Sequence, residues 1–275
     1  GLILAFSGTP WIVKYLPWYW AFWIPAMVVA LLFVLTIFFV KDTPAAAGYP
    51  DLDTGDGTVN AEEKVKFKEV LLKIFGSKVM WTIAIGSMMI GFVRRGVVDA
   101  WWPLYFKEAQ NIAGVSLAPQ LTAWGIAILG IIGGFVFGIS SDRVFGGRRA
   151  PVIVFGFIGM IVVLSLFYLV DVFRLGPIAA AISLACLSFF VNGAHGMIAG
   201  AATMDFGGRK AAGTAVGLID GMQYLAGAFV GMIVGYVTTN WGWQAWKLWP
   251  IPFAIIGALV MSRLWNAVPK GKSTH

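Results

Sequence analysis

Apolar residues fall in long blocks along this chain and do not alternate with polar ones. Seven runs, each about 20 residues or more, are long enough to span a bilayer as helices. They cover 18–40, 78–103, 118–141, 150–171, 176–202, 211–238 and 246–266. A shorter apolar stretch at 1–10 reads as the tail of one more helix, and with Gly1 in place of an initiating Met the chain reads as a fragment lacking its N-terminal part. The segment 41–77 breaks the pattern. It holds Pro44, Gly48 and Pro50, the acidic cluster Asp51, Asp53 and Asp56, then Lys64, Lys66 and Lys68. That composition predicts a solvated linker ending in a short amphipathic helix. The expected organisation is therefore the end of one helical bundle at 1–40 (part of a fifth helix, and a sixth), a linker at 41–77, a six-helix bundle at 78–266 and a tail at 267–275. The predicted fold class is all-α membrane protein.

Composition strengthens the membrane reading. Of 275 residues, 59% are hydrophobic and 12% charged, against roughly 25% charged in soluble domains. The net charge is +7, but the basic residues lie between apolar runs and form no patch for nucleic acid. Their distribution sets an orientation. Placing the linker, the 142–149 loop, the 205–210 loop and the C-terminal tail on one side collects fourteen Lys and Arg there. Four remain on the other side: Lys14, Lys107, Arg174 and Lys247. The richer side is expected to be cytoplasmic. Trp11, Trp18, Trp20, Trp101, Trp102, Trp241, Trp243 and Trp246 gather near the opposite ends and are expected to form an interfacial belt.

Two arginines stand inside an apolar run. Arg94 and Arg95 lie 16 residues into the helix beginning near Lys78, roughly 24 Å from its cytoplasmic end at 1.5 Å per residue. A charge at that depth costs at least ~2.5–3.5 kcal/mol unless it meets a cavity or partner. Arginine cannot shed its proton to escape the cost. A guanidinium fork suits phosphate or carboxylate, so an anion contact is expected at one of the pair. Pairing with Asp99, four or five residues on, is the structural alternative. Side chains of successive helical residues diverge by about 100°, so both arginines are not expected to face the cavity equally.

Asp220 is a second charge near mid-depth, suited to a proton site, to an arginine partner or to a buried structural acid. Gln223 and Tyr224 follow within a turn and extend its polar face. His195 should also lie mid-membrane, with Asn192 on the same helix face. It is expected to be a hydrogen-bonded core histidine, with titration during transport as the alternative. Only one other histidine, His275, and one cysteine, Cys186, occur. No metal, cofactor or disulfide framework is expected. The loop from Gly138 to Arg149 carries Asp142 and Arg143 at a helix end and Arg148 and Arg149 beyond two glycines. The loop Asp205-Phe-Gly-Gly-Arg209-Lys210 repeats those elements. Both are expected to act as charge latches at the cytoplasmic face. Gly213, Gly217 and Gly221, and likewise Gly227, Gly231 and Gly235, recur every four residues and predict close helix contact. No nucleotide-binding loop or nucleophile constellation is present, so an enzyme is not expected.

The loop pattern Gly-x-x-x-Asp-Arg-x-x-Gly-x-Arg-Arg resembles that of the major facilitator superfamily. Further stretches resemble its organophosphate:phosphate antiporter family. These are Lys41-Asp-Thr-Pro44, Lys78-Val-Met-Trp81-Thr-Ile-Ala-Ile, Arg94-Arg-Gly96-Val-Val-Asp99, Pro103-Leu-Tyr-Phe-Lys-Glu108, Ser141-Asp-Arg-Val-Phe145 and Arg209-Lys-Ala-Ala-Gly213-Thr-Ala. The resemblance implies a twelve-helix inner-membrane antiporter working by alternating access, with two halves around a central cavity. It implies that one arginine from each half binds a phosphoryl group. Matching forward from Lys78 places this half's arginine at Arg94; matching back from Pro103 places it at Arg95. Its partner would sit on the first helix, which this sequence lacks. Asp205 matches an acidic position at the cytoplasmic end of the tenth helix. Arg95 and Asp220 depart from the pattern. The implied partners are a phosphorylated organic anion, inorganic phosphate and the lipid bilayer. A proton-coupled carboxylate carrier using Asp220 or His195, and a membrane organophosphate sensor, are the alternatives.

Overall fold

The computed structural model describes residues 3–41, 47–49, 75–202 and 212–267. The expected linker helix and most linker lysines lie outside these residues, as do Asp205 and Arg209. Two units separate at residue 63. The first contains a π turn Leu4–Gly8 running into α1, Thr9–Tyr15, and α2, Trp20–Phe39. The predicted stub is thus helical to Tyr15, further than its apolar run suggested.

The second unit is a helical bundle. Its α3 spans Lys78–Val93 and continues as a π turn over Arg94–Val98. Ser77 caps α3 by accepting from the Met80 amide at 3.3 Å, which satisfies one orphan N–H of the first turn. After a break, α4 covers Trp102–Glu108, with Pro103 in its first turn. Next come α5, Leu117–Arg143, α6, Arg149–Val172, and α7, Pro177–His195, which ends in a π turn over Gly196–Ala202. α8 runs Ala212–Leu248 with a left-handed kink at Gly242 (φ 75°), and α9 covers Ile251–Ser262. Six helices among the described residues are long and apolar enough to cross a membrane. In hydrocarbon every backbone group must be paired internally, and helices achieve this.

The last apolar run departs from expectation. It was predicted as a full span over 246–266, but its helix is only 12 residues, Ile251–Ser262. The chain kinks at Gly242, forms one more short helical stretch to Leu248, and turns at Trp249–Pro250. Hydropathy does not register the interruption, because Trp, Leu, Pro and Ile are all apolar.

The glycines that bring helices together are not the ones the spacing singled out. A Cβ at Gly125 would meet Ala185 Cβ at 2.6 Å, and one at Gly130 would meet Asn192 Nδ2 at 2.9 Å. At Gly133 it would collide with the backbone carbonyl of Phe189. These three let α5 lie directly against α7, where Ser188 donates to the Ile126 carbonyl at 2.8 Å. Gly213, Gly217, Gly221, Gly231 and Gly235 have no described atom within 4 Å of such a Cβ. Gly133→Ala is therefore expected to destabilise the bundle by about 1–3 kcal/mol, since backbone cannot move aside as a side chain can. Gly217→Ala should change the thermal midpoint little. Midpoints of the two purified variants would check this.

Candidate functional site

The π turn organises the arginines. In an α-helix, Arg94 and Asp99 would point about 140° apart, five residues at 100° each. Here the Asp99 amide bonds to the Arg94 carbonyl at 2.9 Å, five residues back. The widened turn sets residues four and five apart side by side. Asp99 consequently pairs with both guanidinium groups, at 3.3 Å to Arg94 Nε and 3.5 Å to Arg95 Nη1. Of the two readings of the arginines, the structure shows the pairing with Asp99, made by both of them. The two guanidinium groups reach that carboxylate from successive positions on the turn and keep different further surroundings. Two positive groups share one negative, so the cluster keeps a net positive charge. The side chains remain 22% and 31% exposed.

α8 supplies the opposite wall. The Arg95 guanidinium lies over the Tyr224 ring, 4.5 Å from its centroid, a favourable cation–π geometry. Its stem passes Gly227, where an added Cβ would sit 3.4 Å from Arg95 Cγ. One glycine of the predicted stripe thus makes room for an arginine. Gly91, one turn before Arg94, meets the Gln223 backbone so closely that a Cβ would stand 2.9 Å from it.

Gln223 ties three helices together. Its amide nitrogen lies 3.2 Å from Ser87 Oγ on α3 and 2.6 Å from His195 Nδ1 on α7. Ser87 in turn donates to the Ile219 carbonyl at 2.9 Å. His195 is thus hydrogen-bonded inside the bundle, as its sequence context predicted. Asn192 instead serves its own helix, donating to Ser188 O and Oγ at 3.1 and 2.8 Å. Asp220, one turn before Gln223, makes no ion pair or hydrogen bond among the described residues. Ser87 escaped sequence reasoning because a lone serine in an apolar run has no distinguishing spacing.

At the C-terminal end of α5 two residues of the predicted charge cluster pair. Arg149 donates to Asp142 at 2.7 Å and to Ser141 Oγ at 3.0 Å. Arg143 takes no part in an ion pair among the described residues, which corrects its expected place in the cluster. It follows Asp142 directly, so its side chain diverges by about 100°. Asp142 is half exposed, and exposed pairs contribute roughly 0–1 kcal/mol. Asp142→Asn should therefore lower the thermal midpoint only slightly. A fall comparable to a core substitution would contradict this account.

The tryptophans of the expected belt are not all exposed. Trp18 and Trp241 are exposed, but Trp102 and Trp246 are completely buried. Lys247, assigned from sequence to an outer loop, is also completely buried, paired with Asp171. Tryptophan suits an interface and a core equally well, and the partners come from helices distant in sequence.

A membrane-spanning helical bundle with charge held inside it defines a polytopic membrane protein. A family model of the Major Facilitator Superfamily matches residues 1–231, and the chain belongs to that superfamily. It is 30% identical over 277 residues to the glycerol-3-phosphate transporter of Bacillus subtilis, covering 97% of this chain and 60% of that protein. It is 28% identical over 280 residues to a probable hexose phosphate transport protein of Chlamydia muridarum, covering 96% and 60%. The membrane sensor protein UhpC of Escherichia coli is 25% identical over 239 residues, covering 83% and 52%. The chain thus spans about 60% of the length of its first relatives. These relatives agree with the organophosphate:phosphate antiporter resemblance carried by the motifs.

Proposed function

We propose that the complete protein is a secondary active transporter of small phosphorylated organic anions, which it exchanges for inorganic phosphate by alternating access. The observation that carries this reading is the pair of guanidinium groups on one π turn, sharing a single carboxylate at membrane depth. An arriving phosphoryl group has the charge and the oxygens to take up donors that Asp99 leaves available. Arg94 is the main anion ligand and Arg95 a second, held against Tyr224. Asp99 and Asp220 set the charge of the cavity, and His195 lines it as a hydrogen-bonding group. The Asp142–Arg149 pair, together with Asp205 and Arg209, steadies the cytoplasmic side in one conformation. The protein sits in the inner (plasma) membrane with the linker and C-terminus cytoplasmic. Residues 78–266 form the C-terminal six-helix half, and the N-terminal half supplies the second arginine. The names of the relatives support phosphorylated substrates.

Counterflow tests the reading. Proteoliposomes holding the full-length protein and internal phosphate should take up labelled glycerol 3-phosphate or hexose 6-phosphate, with phosphate released. Uptake of carboxylates driven by a pH gradient, without phosphate release, would sink it.

The match to a membrane sensor protein favours a second reading. A sensor would bind the same organophosphates with its arginines yet show no exchange in proteoliposomes.

A further inference from the structure

The π turn that presents the arginines is held from a distance. The indole N–H of Trp246 donates to the Gly96 carbonyl at 2.8 Å, across 150 residues of sequence. Gly96 is the middle residue of that turn. Carbonyls at a helix end lose their N–H partners, and the winding ends at Val98, before the residues that would serve Gly96. A buried carbonyl left unpaired is costly, so the Trp246 bond favours the open turn over its alternatives. The ring of Trp249 packs onto Gly96 so closely that a Cβ there would collide with it.

Trp246 is itself fixed. Its ring stacks on Tyr105 with centroids 5.4 Å apart, and meets Phe167 edge-on at 5.8 Å and Trp243 at 5.2 Å. The next residue is Lys247, whose ammonium pairs with Asp171 on α6 and donates to Tyr105 Oη at 3.2 Å. Asp171 also accepts from Tyr105 at 3.0 Å and from Gln244 at 3.3 Å. One ion pair thereby joins α4, α6 and α8 beside the indole. None of these residues touches the arginines.

We propose that Trp246 is a positioning residue for anion binding. Its bond to Gly96 holds the π turn in the register that sets Arg94 and Arg95 on one carboxylate, and the Lys247–Asp171 pair anchors it. The inference rests on the reading that the arginines bind the anion. Without the indole N–H, the turn relaxes toward α-helical winding. That recovers a backbone partner for Gly96 and turns Asp99 away from Arg94.

The test uses the full-length protein with inorganic phosphate and glycerol 3-phosphate as probes. Trp246→Phe keeps an aromatic ring and removes the donor. Affinity for both probes should fall about tenfold, the loss of about one charge-assisted hydrogen bond to the anion. The amide-exchange pattern over residues 94–101 should change, slowing at Ala100 as its N–H takes up the Gly96 carbonyl, with exchange in the distant helices near wild type. Arg94→Gln, run beside it, should lose binding while its turn exchanges as in wild type. Wild-type affinity in Trp246→Phe, or unchanged exchange at the turn, overturns the inference. Normal binding in Arg94→Gln overturns the functional reading instead, and the exchange data still judge the brace. If Trp246→Phe does not fold, Lys247→Met with Asp171→Leu removes the anchor at similar volume. Several-fold weaker binding in that folded variant supports the brace, and wild-type binding overturns it.

Discussion

Arg94→Gln is expected to abolish phosphate exchange in the full-length protein, with anion affinity down about 30-fold or more. Truncating one member of a desolvated, hydrogen-bonded charge pair costs about 2–5 kcal/mol, and each 1.4 kcal/mol is about tenfold. Arg94→Lys should recover only part of the loss, because a point charge cannot reproduce a planar fork. Arg95→Gln should cost less. One face of its guanidinium is already committed to Tyr224 at 4.5 Å, and its 3.5 Å contact with Asp99 is the longer of the two. Counterflow rates and equilibrium binding for the three variants check the ranking. If Arg95→Gln were the more damaging, the roles of the two arginines would exchange. If Arg94→Gln transported normally, the site would be elsewhere.

The second large effect is on stability, not on transport. Lys247→Met should lower the unfolding free energy by about 3 kcal/mol, because Asp171 would be left without its counter-charge beside a closed apolar cluster. A fall of that size moves the thermal midpoint by roughly 5 °C or more in a bundle of this length. Pairing Lys247→Met with Asp171→Leu should restore most of the loss, since a buried ion pair is often replaceable by apolar groups of similar volume. Melting of the single and double variants in one detergent would decide. An unaffected midpoint in the single variant would mean that water reaches Asp171, whose side chain is 14% exposed. The double variant also separates two roles. Stability should return while anion affinity stays low, because the apolar pair fills the space without fixing Trp246.

Sequence and structure agree where the physics is local. The long apolar runs became helices near their predicted limits, Leu117–Arg143 and Arg149–Val172 among them. A carboxylate within reach of Arg94 and Arg95 followed from counting residues. So did the Asp142–Arg149 pair, which joins residues seven apart across a tight turn.

What the chain hides depends on partners far along it. The π turn could not be read from Arg94 to Val98, because its winding is held by an indole 150 residues away. Trp102 and Trp246 carry the residue type of an interface belt and are buried at 1% and 0%. Lys247 looks like a loop charge until α6 brings Asp171 to it. Glycine spacing singled out two series on one helix, yet glycines outside them, Gly91, Gly125, Gly130 and Gly133 among others, make the close approaches. The amino-acid sequence alone determined a polytopic membrane helix protein with two arginines at depth. Bilayer thickness and the cost of buried charge act on single segments, and those constraints are written locally. Only the tertiary structure decided how the arginines are presented. Hydrogen bonds and ion pairs between distant helices set that winding, and no single segment encodes them.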